Sequence, residues 1–141
     1  MQSVTTRAFP CVLRRRGVAR QFPRPGLDSF LQYCHQNFSR IVIFTTVKES
    51  LFRKIATTLV ESKKVPDWFP DLEYIHWKGK YKDLSFIPKI EINRVVLVDD
   101  IEQYIKPEQK RNWLYIPGYN YPYSDDDSEL LKIIDKLSQL G

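Results

Sequence analysis

The stretch RVVLVDDIEQYI, residues 94–105, decides how this sequence is interpreted. It begins with an apolar run, Val95 to Val98, which is too short for a helix and rich in β-branching, so it predicts a buried strand. The strand ends in two adjacent carboxylates, Asp99 and Asp100, and each raises the cost of ionising the other. A divalent cation such as Mg²⁺ would offset that repulsion, but the same pair could cap the segment that follows. The residues alone leave both interpretations open.

The remaining elements alternate between helices and short apolar strands. Helical spacing of apolar residues predicts helices over 28–38, 48–62 and 125–141, and short apolar runs predict further strands over 41–44, 72–77 and 113–117. This alternation is typical of an α/β fold with a mostly parallel sheet. Ligands of such sheets bind beyond the carboxyl ends of the strands, so Thr45 is a second candidate site position beside Asp99 and Asp100. A threonine there is, however, more often a helix N-cap than a phosphate ligand.

Length, hydropathy and cysteine content narrow the class of protein. A chain of 141 residues has room for one hydrophobic core, which predicts a single domain over residues 1–141. No apolar run approaches the roughly 18 residues that a membrane span needs, so no membrane association is expected. Cys11 and Cys34 lie far apart without a CxxC pattern, which indicates neither a disulfide framework nor a zinc site. An intracellular, cytoplasmic location is expected.

The N-terminal segment is basic. Residues 1–24 contain six arginines and no acidic residue. Such a segment could be a mitochondrial presequence or a basic arm that binds nucleic acid. We favour a solvated β-hairpin over FPCVLRRRGVARQF, residues 9–22, because Pro10 and Gly17 would interrupt a presequence helix and Gly17 suits the turn. Nucleic-acid binding is therefore not favoured, and a mitochondrial location is kept as the alternative to the cytoplasm.

Four segments in a fixed order carry a family resemblance. They are RPGLDSFLQYCHQNFSRIVIFTT (24–46), GKYKDLSFI (79–87), RVVLVDD (94–100) and DDDSELLKII (125–134). Together they closely resemble the FCP/SCP-type, NLI-interacting-factor-like phosphatases of the haloacid dehalogenase (HAD) superfamily, over a region from about residue 9 to the C-terminus. The resemblance implies an HAD-like, Rossmannoid three-layer sandwich in which a phosphoryl group passes to an aspartate, with Mg²⁺ and a fixed lysine neutralising the charge.

The resemblance also implies roles for particular residues. Thr45 would bind a phosphoryl oxygen, Lys82 would stabilise the attacking carboxylate and the phosphate, and Asp99 with Asp100 would hold Mg²⁺. The substrate would be phosphorylated, and a phosphoprotein is the substrate for which the family is best known. The aromatic-rich region 65–88 is expected to be a small β insertion or cap, with a hairpin turn at Gly79, and to form one wall of a substrate groove.

One part of the family pattern is missing. The family begins with a strand that ends in a DxDxT signature, whose first Asp is the nucleophile and whose second is the general acid and base; this sequence has no Asp before Asp28. We therefore expect the central first strand to be absent and the domain to be N-terminally incomplete, with two open interior edges that favour self-association. The chain is predicted to be an inactive form of a Mg²⁺-dependent phosphatase. The alternative is a catalytically dead binding or scaffold module.

Overall fold

The structure is a computed structural model that describes residues 3–6, 11–13, 21–120 and 122–140. Along the described chain its α-helices and strands are β1 (Ser3–Thr6), β2 (Cys11–Leu13), β3 (Gln21–Pro23), α1 (Leu27–Asn37), β4 (Ile41–Ile43), α2 (Glu49–Glu61), β5 (Glu73–Tyr74), β6 (Val95–Asp99), β7 (Trp113–Tyr115) and α3 (Glu129–Ser138). Within the described ranges, no helix is both long enough and apolar enough to cross a bilayer.

The chain divides into two compact units. The first unit consists of Met1–Phe9, Cys34–Thr46 and Leu72–Gly118, and the second of Pro10–Tyr33, Val47–Asp71 and Tyr119–Gly141. In the first unit, five of the described strands form a sheet in the order β5-β4-β1-β6-β7, and every neighbouring pair is parallel. The mixture of helices and short parallel strands confirms the predicted α/β class.

The centre of this sheet corrects one expectation. The position between β4 and β6 is occupied by β1 of this chain, in which Val4 pairs with Ile41 on one side and with Val96 on the other. The central strand is therefore present. Its formation satisfies backbone groups that two buried strand edges would otherwise leave unpaired, and a run of Ser, Val and Thr is compatible with a strand. The open interior edges that suggested self-association do not exist.

The strand predicted near residues 72–77 exists, but in a different setting. It is β5, which pairs in parallel with β4 and forms one edge of the main sheet. Residues 75–94 contain 3-10 turns and bends instead of a second strand, so the expected β insertion with a hairpin turn at Gly79 was wrong. The Arg40 guanidinium supports this edge by donating to both carboxylate oxygens of Glu73, at 2.8 and 2.6 Å, and to the Pro88 carbonyl at 2.7 Å. That residues 65–88 act as a cap stays a prediction.

The core of the first unit explains why the central strands are so apolar. All residues of β4 and β6 are buried. Successive side chains of a strand point to opposite faces of the sheet. Every second residue of β4 and β6 therefore belongs to one core cluster, together with residues from the segments that follow these strands. The members of that cluster are Val42, Phe44, Ile75, Leu84, Ile87, Val95, Leu97 and Ile105. The sheet thus holds the carboxyl ends of β4 and β6 in a fixed arrangement.

The second unit contains the hairpin and most of the helical residues. β2 and β3 pair antiparallel, as predicted, whereas the turn predicted at Gly17 lies outside the described residues. The buried Arg24 makes a bidentate ion pair with Asp127, at 2.9 and 3.1 Å, and Asp127 in turn accepts a hydrogen bond from the backbone N–H of Glu129, in the first turn of α3. This ion pair links the RPG segment to the start of the last helix.

Asn112 offers a test of how the first unit is held together. Its buried amide donates to the carbonyls of Ile92 and Val95, at 2.7 and 3.0 Å, and so ties the turn before β6 to the turn before β7. We expect Asn112→Ala to lower the free energy of unfolding by about 1–3 kcal/mol, because both carbonyls lose the hydrogen bond from the Asn112 amide. The exposed Asn93 is the control, and Asn93→Ala should change stability by no more than about 0.5 kcal/mol. Equal effects in urea unfolding would contradict this assignment.

Candidate functional site

A buried ion pair lies at the carboxyl end of the parallel sheet. The Lys82 ammonium donates to Oδ2 of Asp99 over 2.5 Å, and neither side chain has solvent-exposed surface. Asp99 is the last residue of β6, and Lys82 lies in the loop between β5 and β6. A charge in such surroundings loses its hydration, so each of these two charges depends on the other for stabilisation.

Asp99 has further partners that fix its position. Its Oδ1 atom accepts a hydrogen bond from the Ile101 backbone N–H at 2.9 Å. Its own carbonyl accepts from the Trp113 indole at 3.0 Å and from the Ile116 backbone N–H at 3.2 Å. Both carboxylate oxygens and the backbone carbonyl therefore have donors, so the carboxylate is held in one orientation.

A chain of aromatic contacts connects Lys82 to Thr45. The backbone N–H of Lys82 donates to the Tyr104 carbonyl at 2.8 Å, and its Nζ atom lies 5.2 Å from the centroid of the Tyr104 ring. Tyr104 meets Trp77 edge to face, with centroids 5.8 Å apart, and the Trp77 indole donates to the Thr45 carbonyl at 2.9 Å. Thr45 is buried, just beyond the end of β4. The aromatic rings thus support the backbone on both sides of the site.

Next to the ion pair, Asp83 anchors the loop that carries its lysine. Oδ1 of Asp83 accepts from the Ser85 backbone N–H at 2.9 Å and from the Gln109 amide at 3.0 Å, and Oδ2 accepts from the Lys106 ammonium at 2.9 Å. Gln109 also accepts from the backbone N–H of Leu84 at 2.9 Å. These bonds hold a short 3-10 turn against the segment before β7, and we call this set of residues the Asp83 clamp.

The electrostatics of Asp83 follow from these contacts. Partial burial alone would raise the pKa of the Asp83 carboxyl, but the hydrogen bonds from Lys106, Ser85 and Gln109 outweigh it and lower the pKa well below its ordinary value of 3.8. The bond with Asp83 also raises the pKa of Lys106. Both groups are therefore charged at neutral pH.

The structure links three of the four predicted site residues, Thr45, Lys82 and Asp99, by direct contact or through two aromatic rings. Lys82 and Asp99 are in direct contact, and Thr45 is linked to them through Trp77 and Tyr104. Asp100 is partly exposed and follows Asp99 directly. The sequence interpretation missed the Asp83 clamp. Its one local signal is the Asp83-x-Ser85 capping pattern, whereas Lys106 and Gln109 are too distant in sequence to show a pattern.

The donor set does not fit a Mg²⁺ site well. Mg²⁺ requires near-octahedral oxygen ligands and usually keeps several of its waters. Of the two carboxylates at the end of β6, that of Asp99 is fully buried and already paired with the Lys82 ammonium group. Within the part of the chain that the structure describes, no group of three or more His, Cys, Asp or Glu residues could hold a metal ion. β1, the neighbouring strand, has the sequence SVTT and provides no carboxylate.

The parallel sheet and the buried Lys82–Asp99 pair at its carboxyl end are compatible with a phosphatase-like α/β protein. The comparisons with known proteins agree, because the family model described as NLI interacting factor-like phosphatase matches residues 2–141. The chain belongs to this family, which confirms the resemblance seen in the sequence.

Two curated relatives show the range of proteins to which the chain is similar. A CTD phosphatase-like protein of Invertebrate iridescent virus 3 is 30% identical over 129 residues, which is 79% of this chain and 69% of the relative. The mitochondrial import inner membrane translocase subunit tim50 of Emericella nidulans is 28% identical over 120 residues, which is 84% of this chain. The chain spans only 21% of the length of the second relative.

The ion pair predicts strongly non-additive effects of substitution. Lys82→Met and Asp99→Leu should each lower the free energy of unfolding by about 3–5 kcal/mol, because each leaves one buried charge without its partner. The double variant Lys82→Met/Asp99→Leu should lose much less than the sum of the two, since it leaves no buried charge. Chemical denaturation of all four proteins measures the coupling. Additive losses would show that the two charges do not depend on each other.

The Asp83 clamp predicts a dependence of stability on pH. Because the folded-state pKa of Asp83 is lowered, its contribution to stability is complete above the ordinary value of 3.8 and is lost as the pH falls below it. Asp83→Asn keeps an acceptor oxygen but loses the charge, so its stability should fall less steeply between about pH 5 and pH 2. Urea unfolding across this range provides the measurement. Parallel curves for the two proteins would contradict the role given to the clamp.

Proposed function

We propose that this chain is a phosphatase-like binding module that does not hydrolyse phosphomonoesters. The observation that carries the proposal is the composition of β1, which occupies the central position of the sheet and contains Ser, Val and Thr but no carboxylate. Phosphoryl transfer in this family needs a nucleophilic aspartate at the end of that strand. Without it no phosphoaspartate forms, whatever the surrounding residues contribute.

The state of the lysine supports the same proposal. Lys82 would be the charge that neutralises a bound phosphoryl group, but its ammonium group is fully buried against Asp99. A phosphoryl group would therefore have to separate an ion pair whose members have no solvent contact, which is costly. In the proposed module the Lys82–Asp99 pair has a structural role and binds no phosphoryl group, and a partner protein binds elsewhere on the surface.

A second candidate is a Mg²⁺-dependent phosphatase that acts on phosphoproteins. It is favoured by the arrangement of Thr45, Lys82 and Asp99, which meet at the carboxyl end of one parallel sheet, where ligands of such folds bind. In this candidate Thr45 and Lys82 would bind the phosphoryl group and Asp99 with Asp100 would hold the metal. An aspartate from outside the described strand would have to act as the nucleophile.

The finer fold and the location are proposed on the family relationship. We assign the chain to the HAD-like, Rossmannoid three-layer sandwiches, a proposal supported by the parallel sheet and the family match. An intracellular location is proposed, and the similarity to a mitochondrial import subunit strengthens the mitochondrial alternative relative to the cytoplasm.

A hydrolysis assay separates the two candidates. With p-nitrophenyl phosphate and Mg²⁺ we expect no release of nitrophenol above the rate without protein, because the central strand provides no nucleophile. The double variant Lys82→Met/Asp99→Leu is the matched control, since it should fold without the Asp99 carboxylate. Turnover by the unmodified chain that the double variant loses would reject the binding module and favour the phosphatase.

A further inference from the structure

We infer that Asp99 serves Lys82 and not a metal ion, so that the carboxyl end of this sheet holds a metal-independent ion pair. The family relationship leads one to expect a cation at this strand end, and the residues of this chain disagree with that expectation. The inference concerns the same site and rests on the proposed function, but it makes a separate statement about what neutralises Asp99.

The first argument concerns charge. Both oxygens of Asp99 already have a donor, since Oδ2 lies 2.5 Å from the Lys82 ammonium and Oδ1 accepts from the Ile101 backbone N–H. A cation placed against the same carboxylate would lie only a few ångströms from the ammonium group, and like charges at that separation repel strongly in surroundings of low dielectric constant. The lysine therefore already provides a positive charge for the Asp99 carboxylate.

The second argument concerns space. Mg²⁺ dehydrates reluctantly and would bring several waters to a site built from one or two carboxylates. The Asp99 side chain has no exposed surface, and neither does that of Lys82. A hydrated ion would reach Asp99 only if the buried pair opened, and the Asp83 clamp opposes this by holding the loop that carries Lys82.

The third argument concerns the remaining ligands. A second carboxylate on the adjoining strand would complete a metal site between two strand ends, but β1 contains none. Asp100 is the other carboxylate that this end of β6 supplies. Asp99 is already paired, so this strand end leaves one partly exposed carboxylate for a metal, and the residues around β6 favour the ion pair.

The inference is tested by measuring the thermal unfolding midpoint of the unmodified protein at increasing Mg²⁺ concentration and constant ionic strength. We expect the unfolding midpoint to be the same in EDTA and in millimolar Mg²⁺. A site filled at about a hundredfold excess over its dissociation constant would instead raise the midpoint of a domain of this size by roughly 5–10 °C. The double variant Lys82→Met/Asp99→Leu, which has no carboxylate at position 99, is the control for ions bound elsewhere.

A second measurement detects metal binding directly and compares the unmodified protein with the double variant. Mn²⁺ takes the same oxygen ligands as Mg²⁺, and its binding to the unmodified protein is detected by the relaxation of water protons. We expect no saturable Mn²⁺ binding that Mg²⁺ displaces. Mn²⁺ binding of equal strength to the unmodified protein and the double variant would also support the inference, because the ion would then bind away from Asp99. A saturable rise in the midpoint with Mg²⁺, or Mn²⁺ binding that the double variant loses, would overturn it. Metal binding without turnover would reject this inference and leave the proposed function intact.

Discussion

One buried pair of opposite charges constrains the first unit, because neither of its members can be removed alone without a large loss of stability. Lys82 approaches the sheet from the loop between β5 and β6, and Asp99 ends the strand that lies beside the central one. Neither charge would be tolerated alone in a region without solvent, because the loss of hydration is not compensated there. The surrounding contacts help to hold these two residues in place. The Trp113 indole donates to the Asp99 carbonyl, and the Lys82 backbone N–H donates to the Tyr104 carbonyl.

This constraint separates the architecture of a phosphatase from its chemistry. The resemblance assigned Lys82 to a phosphoryl group and Asp99 with Asp100 to Mg²⁺, whereas in the structure Lys82 and Asp99 are paired with each other. The central strand β1 contains no carboxylate, and the buried ammonium of Lys82 pairs with the carboxylate of Asp99. In the proposed binding module, residues that the resemblance assigns to a catalytic site would form a structural ion pair instead.

The sequence predicted those parts of the fold that local patterns encode. The apolar runs predicted β4 and β6, and helical spacing predicted α1 and α2 to within about two residues, because burial and periodicity act over a few neighbouring positions. The order of the family segments predicted that Thr45, Lys82 and Asp99 belong to one site. In α3 the buried residues are Leu130, Ile133 and Leu137, whereas the apolar side chain of Leu131 is 48% exposed.

Features set by distant residues could not be predicted in this way. SVTT is a short stretch without a strong apolar pattern, and only its two partners, β4 and β6, identify it as the central strand. β5 resembled half of a hairpin because its pairing with β4 is not visible in the local sequence. The direct pairing of Lys82 with Asp99 was also unexpected, since the family comparison assigned one residue to a phosphate and the other to a metal.

The central position of β1 has a consequence for the order in which the molecule can fold. Residues 3–6 are synthesised before either neighbour, yet Val4 completes its pairing only with Val96, far along the chain. A strand between two parallel partners of such different sequence separation raises the contact order of the domain, which slows folding and prolongs exposure of the unpaired strand. During synthesis, the segment that completes the sheet is therefore also the one that waits longest for its second partner.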